Sequence, residues 1–289
     1  MSRENRTETV TARNLRHAAR ASSGTGAVAP SSGNGSAGGA LARAMQRSGG
    51  VTVTSAILAS GAVALGSIAQ GTVGFGVGVL AAPVLLLIDP RLVPGPLLLT
   101  AFFLIVGLTW REWRGIRFGY LAWSLVGRFA GTAAAAVFIR GISEATFETV
   151  LGVVVILGAA ISAFGPEVRL TRAGFLGAGA LSGFFGTTAA IGGPPIALLY
   201  QREKGPVVRG TLSAFFVVGT VMSMAGLAWA GKFGRTELQL TPVLLPGALV
   251  GFLLSGRLTR IMDRGWLRPA ILVLSVLAGC MVVAKHFIR

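Results

Sequence analysis

Long apolar runs separated by short charged stretches fill the chain from Val51 onward. They cover residues 51–88, 94–110, 118–139, 147–164, 175–199, 212–230, 240–258 and 266–283. Most approach the ~20 residues that a helix needs to cross the hydrocarbon core of a bilayer. The pattern predicts an all-α, polytopic membrane helix bundle. Charge collects between the runs, at Arg111-Glu112-Trp113-Arg114, at Arg202-Glu203-Lys204, at 232–237 and at 257–268. Trp110, Trp113, Trp123 and Trp266 stand near run ends, where interfacial anchors belong.

Two runs differ from the rest. The first has a glycine cluster inside it, and 175–199 is interrupted by glycine and proline. The two interruptions align without a gap, "QGTVGFGVGVLAAPVLLL" (70–87) over "SGFFGTTAAIGGPPIALL" (182–199). Gly71 then meets Gly183, Gly74 meets Gly186, and Pro83 meets Pro195, an offset of 112 positions. Pro94 and Pro206 keep that offset. After one inserted residue, Ala101-Phe102-Phe103 meets Ala214-Phe215-Phe216, and later Gly127 and Gly131 meet Gly247 and Gly251. The chain reads as two homologous halves of about four apolar segments each, 49–166 and 167–289, each opening on a broken or hairpin-like segment. Residues 1–48 form an Arg-, Gly- and Ser-rich tail that cannot bury enough apolar surface to order itself. It has no apolar stretch of a secretory signal, and is expected to be a disordered cytoplasmic tail.

Composition narrows the function. The 289 residues are 53% hydrophobic and 12% charged, about half the charge of a soluble domain. The net charge of +16 lies in the tail and between apolar runs, as Lys and Arg do in membrane proteins. No aromatic residue lies in the tail to stack on bases, so nucleic acid is not an expected partner. The one cysteine, Cys280, allows no disulfide within the chain and reads as a packing residue. The two histidines, His17 and His286, lie near the termini. No paired carboxylates, metal cluster or nucleophile triad lies within the bundle, so neither an enzyme nor a cofactor is expected. "GFGVGVL" resembles a phosphate loop, but no strand or Rossmann unit surrounds it.

The interruptions carry the candidate chemistry. Irregular backbone survives at membrane depth only where protein or a water-filled cavity surrounds it. Paired Gly/Pro interruptions are the sequence pointer to a transporter site. A half-helix starting there would present unpaired N–H groups and the positive end of its dipole to an anion. The candidate substrate-binding residues are Gly71, Gly74, Gly76, Pro83, Gly183, Gly186, Gly192, Gly193 and Pro194, with Thr187 and Thr188 as hydroxyl donors. Arg128, mid-way along its run, joins them if it faces a cavity. The other reading of Arg128 is that it snorkels to an interface. Its counterpart in the second half is Ala248, so an arginine site would be one-sided. Gly61, Gly107, Gly127, Gly131, Gly247 and Gly251 read instead as helix-packing positions.

"GTVGFGVGVLAAPVLLLIDPRLVPGPLLL" and "LSGFFGTTAAIGGPPIALLYQ", in this order, resemble the sulfite exporter TauE/SafE family of membrane transporters. The resemblance covers about residues 51–286. It implies a duplicated permease that exports small anions such as sulfite, sulfonates or other organosulfur acids. The expected partners are that small anion and the lipid bilayer of the cell membrane, with room for a homo-oligomer. An importer of the same fold, or a membrane scaffold or receptor subunit, is the alternative. If each interrupted segment crosses once, the halves run parallel; if each is a hairpin, they are inverted. The 257–268 loop favours the hairpin by the positive-inside rule, and 111–117 favours the single crossing.

Overall fold

The computed structural model describes residues 52–164, 170–200 and 202–262, all within one structural unit. The tail, the 263–289 segment with its apolar run, Trp266 and Cys280 lie outside the described residues. Every regular element among the described residues is helical.

Helix α1 spans Val53–Val73 and opens on Thr52, whose hydroxyl accepts from Ser55 N. It closes on Gly74 in the left-handed region (φ 102°), a conformation that glycine takes without cost. Gly76 also has positive φ, and α2, Val77–Ile88, starts after it. The chain doubles back here. A Cβ on Gly66 would sit 2.8 Å from Val77 O, and one on Gly76 would sit 3.0 Å from Ala69 Cβ. A continuous helix would separate residues 66 and 77 by ~16 Å.

A 3₁₀ turn at Pro90–Leu92 leads into α3, Gly95–Arg111. Helix α4 is Leu121–Arg140 and α5 is Glu144–Phe164. Helix α6, Arg172–Ala189, starts on a Thr171 cap and ends at Ala190, a non-glycine residue in the left-handed region (φ 60°). Only a short helix follows, α7, Gly193–Ala197, which runs into a 3₁₀ turn at Leu198–Tyr200. Here too the chain reverses, since Ser182 on α6 bonds Gly192 ten positions on. Helices α8, Gly205–Trp229, and α9, Arg235–Met262, complete the described bundle.

Five segments are long and apolar enough to cross a bilayer: Val53–Val73, Pro90–Arg111, Leu121–Arg140, Gly205–Trp229 and Arg235–Thr259. Five such segments in one chain fit a multi-pass membrane protein. The apolar run over α6 is less hydrophobic. The many glycines of α6 lower its hydropathy.

Packing follows the small residues. Helix α4 lies against α6 backbone to backbone: Gly127 and Gly131 face Leu176 and Ala180, while Gly179 and Gly183 face Ser124 and Arg128 main chain. Helix α9 lies against α1 the same way, with Gly247 on Ser60 O and Gly251 on Ala64 O. A Cβ at any of these six positions would overlap its neighbour. Close approach of this kind replaces the hydrophobic drive that lipid removes. Gly107 meets the Phe252 ring, and α3 also packs on α8. Gly61 departs from the packing expectation: it is exposed, and nothing lies within 4 Å of where its Cβ would be.

Candidate functional site

The turns at 74–76 and 190–192 meet. The main chain of Ala190 and Ile191 bears on Gly78, and the Phe75 ring bears on Gly193. A small cavity of about 30 Å³ lies beside the contact. Gln70, Gly76, Gly78, Arg128, Gly192 and Gly193 line it, facing an apolar wall of Leu98, Ala101, Ile105 and Phe216. At that size it has room for a water or two, so a larger solute enters only if the walls part.

Arg128 faces the interior, not an interface: only 2% of it is exposed. Its Nη1 donates to Ser182 Oγ at 2.7 Å and to Ser182 O at 3.4 Å, and Nη2 donates to Ser223 Oγ at 3.4 Å. Nε has no partner. The guanidinium lies over the Phe215 and Phe216 rings, 5.1 and 5.7 Å from their centres. Its hydrogen-bond partners are all neutral, and no carboxylate lines the cavity among the described residues. An arginine at membrane depth costs at least ~2.5–3.5 kcal/mol. Hydroxyls and ring faces offset part of that and leave its charge unneutralised.

Glycines make the channel in which this side chain lies. A Cβ at Gly186 would sit 2.9 Å from Nη2, and one at Gly192 would sit 2.8 Å from Nη1. A Cβ at Gly219 would overlap Nε outright. A hydroxyl cluster stands beside it: Thr187 Oγ1 donates to Ser223 Oγ at 2.9 Å and approaches Thr132 Oγ1 at 3.3 Å.

The sequence candidates divide. Gly76, Arg128, Gly186, Gly192 and Gly193 line the cavity. Gly71, Gly74, Pro83, Gly183, Thr187, Thr188 and Pro194 do not. Gly71 packs on Ser255, Gly74 provides the left-handed turn, Gly183 admits α4, and Pro83 and Pro194 are buried in α2 and α7. Thr188 is not a cavity donor, because its hydroxyl donates to Phe184 O on its own helix. The two turns also differ as helix starts. Helix α2 has 12 residues, whereas α7 has five before it tightens to 3₁₀ geometry, too few to build a useful dipole. Positive potential at the second turn therefore rests on Arg128.

Sequence reasoning missed Gln70, Ser182, Gly219 and Ser223. It also missed a charged network at the end of α1. Arg111 Nη2 donates to Gly71 O at 2.6 Å and Nη1 to Ser255 Oγ at 3.0 Å. Arg209, 3% exposed, donates from Nη1 to Thr72 O at 3.5 Å. Both arginines thus meet the negative end of α1. Glu112 ties them together, accepting from Arg111 Nε at 3.3 Å and from Arg209 Nε at 3.1 Å. Glu112 is therefore not a solvated loop residue, as its place after the α3 run suggests. Among the described residues no group of three His, Cys, Asp or Glu is placed to hold a metal.

A family model described as Sulfite exporter TauE/SafE matches residues 22–282. Among curated proteins and solved structures, none is significantly similar to the chain.

Proposed function

The chain belongs to the sulfite exporter TauE/SafE family, a family of membrane transporters and not enzymes, and from that membership we propose that it exports a small sulfur oxyanion through the cavity at Arg128. Sulfite, a sulfonate or a related organosulfur acid is the cargo. The observation that carries the reading is a buried guanidinium with neutral partners, on the wall where two glycine-rich turns meet. Gly76, Gly186, Gly192 and Gly193 bring main chain close to the anion, and Arg128 supplies the charge. Gly71, Gly74, Pro83, Gly183, Thr187, Thr188 and Pro194 support the turns and their packing.

We read the fold as two inverted halves, 49–166 and 167–289, each opening on a hairpin that dips into the membrane. Matching packing supports this reading: Gly127 and Gly131 press on α6, which opens the second half, and Gly247 and Gly251 press on α1, which opens the first. Alternating access then parts the hairpins on one side and then the other. The protein sits in the plasma membrane with the arginine-rich tail in the cytoplasm. An inside-negative potential drives an anion outward by about 2.3 kcal/mol per charge per 100 mV. No carboxylate lines the cavity among the described residues, which favours potential over a proton relay.

The test is sulfite and sulfonate flux in vesicles reconstituted with the full chain, with Arg128→Ala and Gly193→Leu. Both are expected to lose flux, measured per inserted protein. Unchanged flux in both variants removes this site from the transport path.

A further inference from the structure

Gln70 and Ser182 occupy the same register in the two halves, 112 positions apart, and each splints the turn that follows it. Gln70 does so alone. Its Nε2 donates to Gly74 O at 2.9 Å and its Oε1 accepts from Val77 N at 3.2 Å. Ser182 is too short to span its turn. Its Oγ donates to Gly192 O at 2.5 Å and accepts from Arg128 Nη1 at 2.7 Å. The matching place to Arg128 in the other half is Ala248, which follows Gly247 as Arg128 follows Gly127. One half thus uses Gln with Ala, and the other uses Ser with Arg. Gln70 and Ala248 carry no charge, and Gln70 spends its polar atoms on the turn. The second pair leaves a full positive charge, an unpartnered Nε and, among the described residues, no acid along the cavity.

We propose, resting on the transport reading above, that the site selects singly charged oxyanions and rejects doubly charged ones. One guanidinium neutralises an organosulfonate or hydrogen sulfite. A sulfate or sulfite dianion would keep one uncompensated charge in a buried site with room for only a water or two, where such a charge is heavily penalised. The symmetric alternative, an arginine at this place in both halves, would suit a dianion, and Ala248 stands there instead. The sulfite dianion takes up one proton near neutral pH to become hydrogen sulfite, so the species carried is that monoanion, and its share rises as pH falls.

The test uses the full chain in vesicles with gluconate as background anion. Methanesulfonate, a monoanion at every working pH, and sulfate, a dianion, compete with labelled sulfite at matched ionic strength. The expected result is inhibition by methanesulfonate at least about ten-fold stronger than by sulfate. Sulfate competing equally overturns the charge selection and leaves the transport reading standing. Competition by neither, with no sulfite flux, overturns both. Because Arg128→Ala alone removes part of the splint, the informative variant is Ser182→Gln with Arg128→Ala, which puts the first half's residue types at both places and offers the turn a longer polar side chain. It is expected to keep the wild-type melting temperature and to lose stabilisation by methanesulfonate. Undiminished stabilisation of that variant by methanesulfonate assigns the charge elsewhere and overturns the proposal.

Discussion

Glu112 and Arg209 are 97 positions apart in the chain, and Arg209 Nε donates to Glu112 Oε1 at 3.1 Å. The carboxylate also faces Arg111, so one acid holds two cations against the last carbonyls of α1. Removing one partner of a buried pair costs about 3–5 kcal/mol, because the other charge stays desolvated. Glu112→Gln is therefore expected to destabilise the bundle by roughly that amount. Thermal unfolding of the detergent-solubilised protein reads it, and an unshifted melting temperature contradicts it.

Gly219 stands against Arg128 Nε, far from either glycine-rich turn in sequence. A methyl group there displaces the guanidinium while leaving every cavity-lining residue chemically unchanged. Gly219→Ala is expected to cut anion flux roughly ten-fold or more, since small misplacements of a charged group are costly. The measurement is initial flux normalised to reconstituted protein, and wild-type flux would show that Arg128 has slack.

Gly247 and Gly61 lie on facing helices and predict opposite outcomes. Gly247→Ala drives a Cβ into Ser60 O and should cost about 1–3 kcal/mol in packing strain. Gly61→Ala meets nothing and should be neutral, or stabilise by up to ~1 kcal/mol through helix propensity. Paired melting curves separate them, and equal shifts would remove the close-approach account of α1 against α9.

Gln70→Glu places a carboxylate on the cavity wall shared with Arg128. It keeps the acceptor for Val77 N and removes the donor to Gly74 O. The new negative charge should abolish binding of anions, so flux is expected to fall to the protein-free background. Retained flux would place the anion path away from Gln70.

Potential should set direction. An imposed 100 mV, negative inside, is worth about 2.3 kcal/mol per charge, close to a fifty-fold bias at equilibrium. Vesicles loaded with sulfite should release it faster under that potential. Release that ignores potential but follows a pH gradient would point to coupled proton movement.

Much of this was legible in the chain because lipid restricts what backbone can do. Glycine and proline inside an apolar run had to mark something protected, and the 74–76 and 190–192 turns fall there. Arg128 was visible as a charge out of place, but its direction was not, because periodicity does not say which face of a run meets protein. Gln70, Ser182 and Ser223 carry no charge and change no pattern, so nothing along the chain separates them from other buried polar residues. Gly219 was one glycine among 42. Glu112 sat beside charged neighbours in a connecting stretch, and only the fold brings Arg209 to it.

The meeting of Gly78 with the Ala190 main chain has a mechanical consequence. Side chains can change rotamer when pressed, and so absorb a displacement. Main chain against glycine has no rotamer to change. A push of one tip onto the other is therefore passed on undamped: the contact resists compression and leaves the tips free to separate.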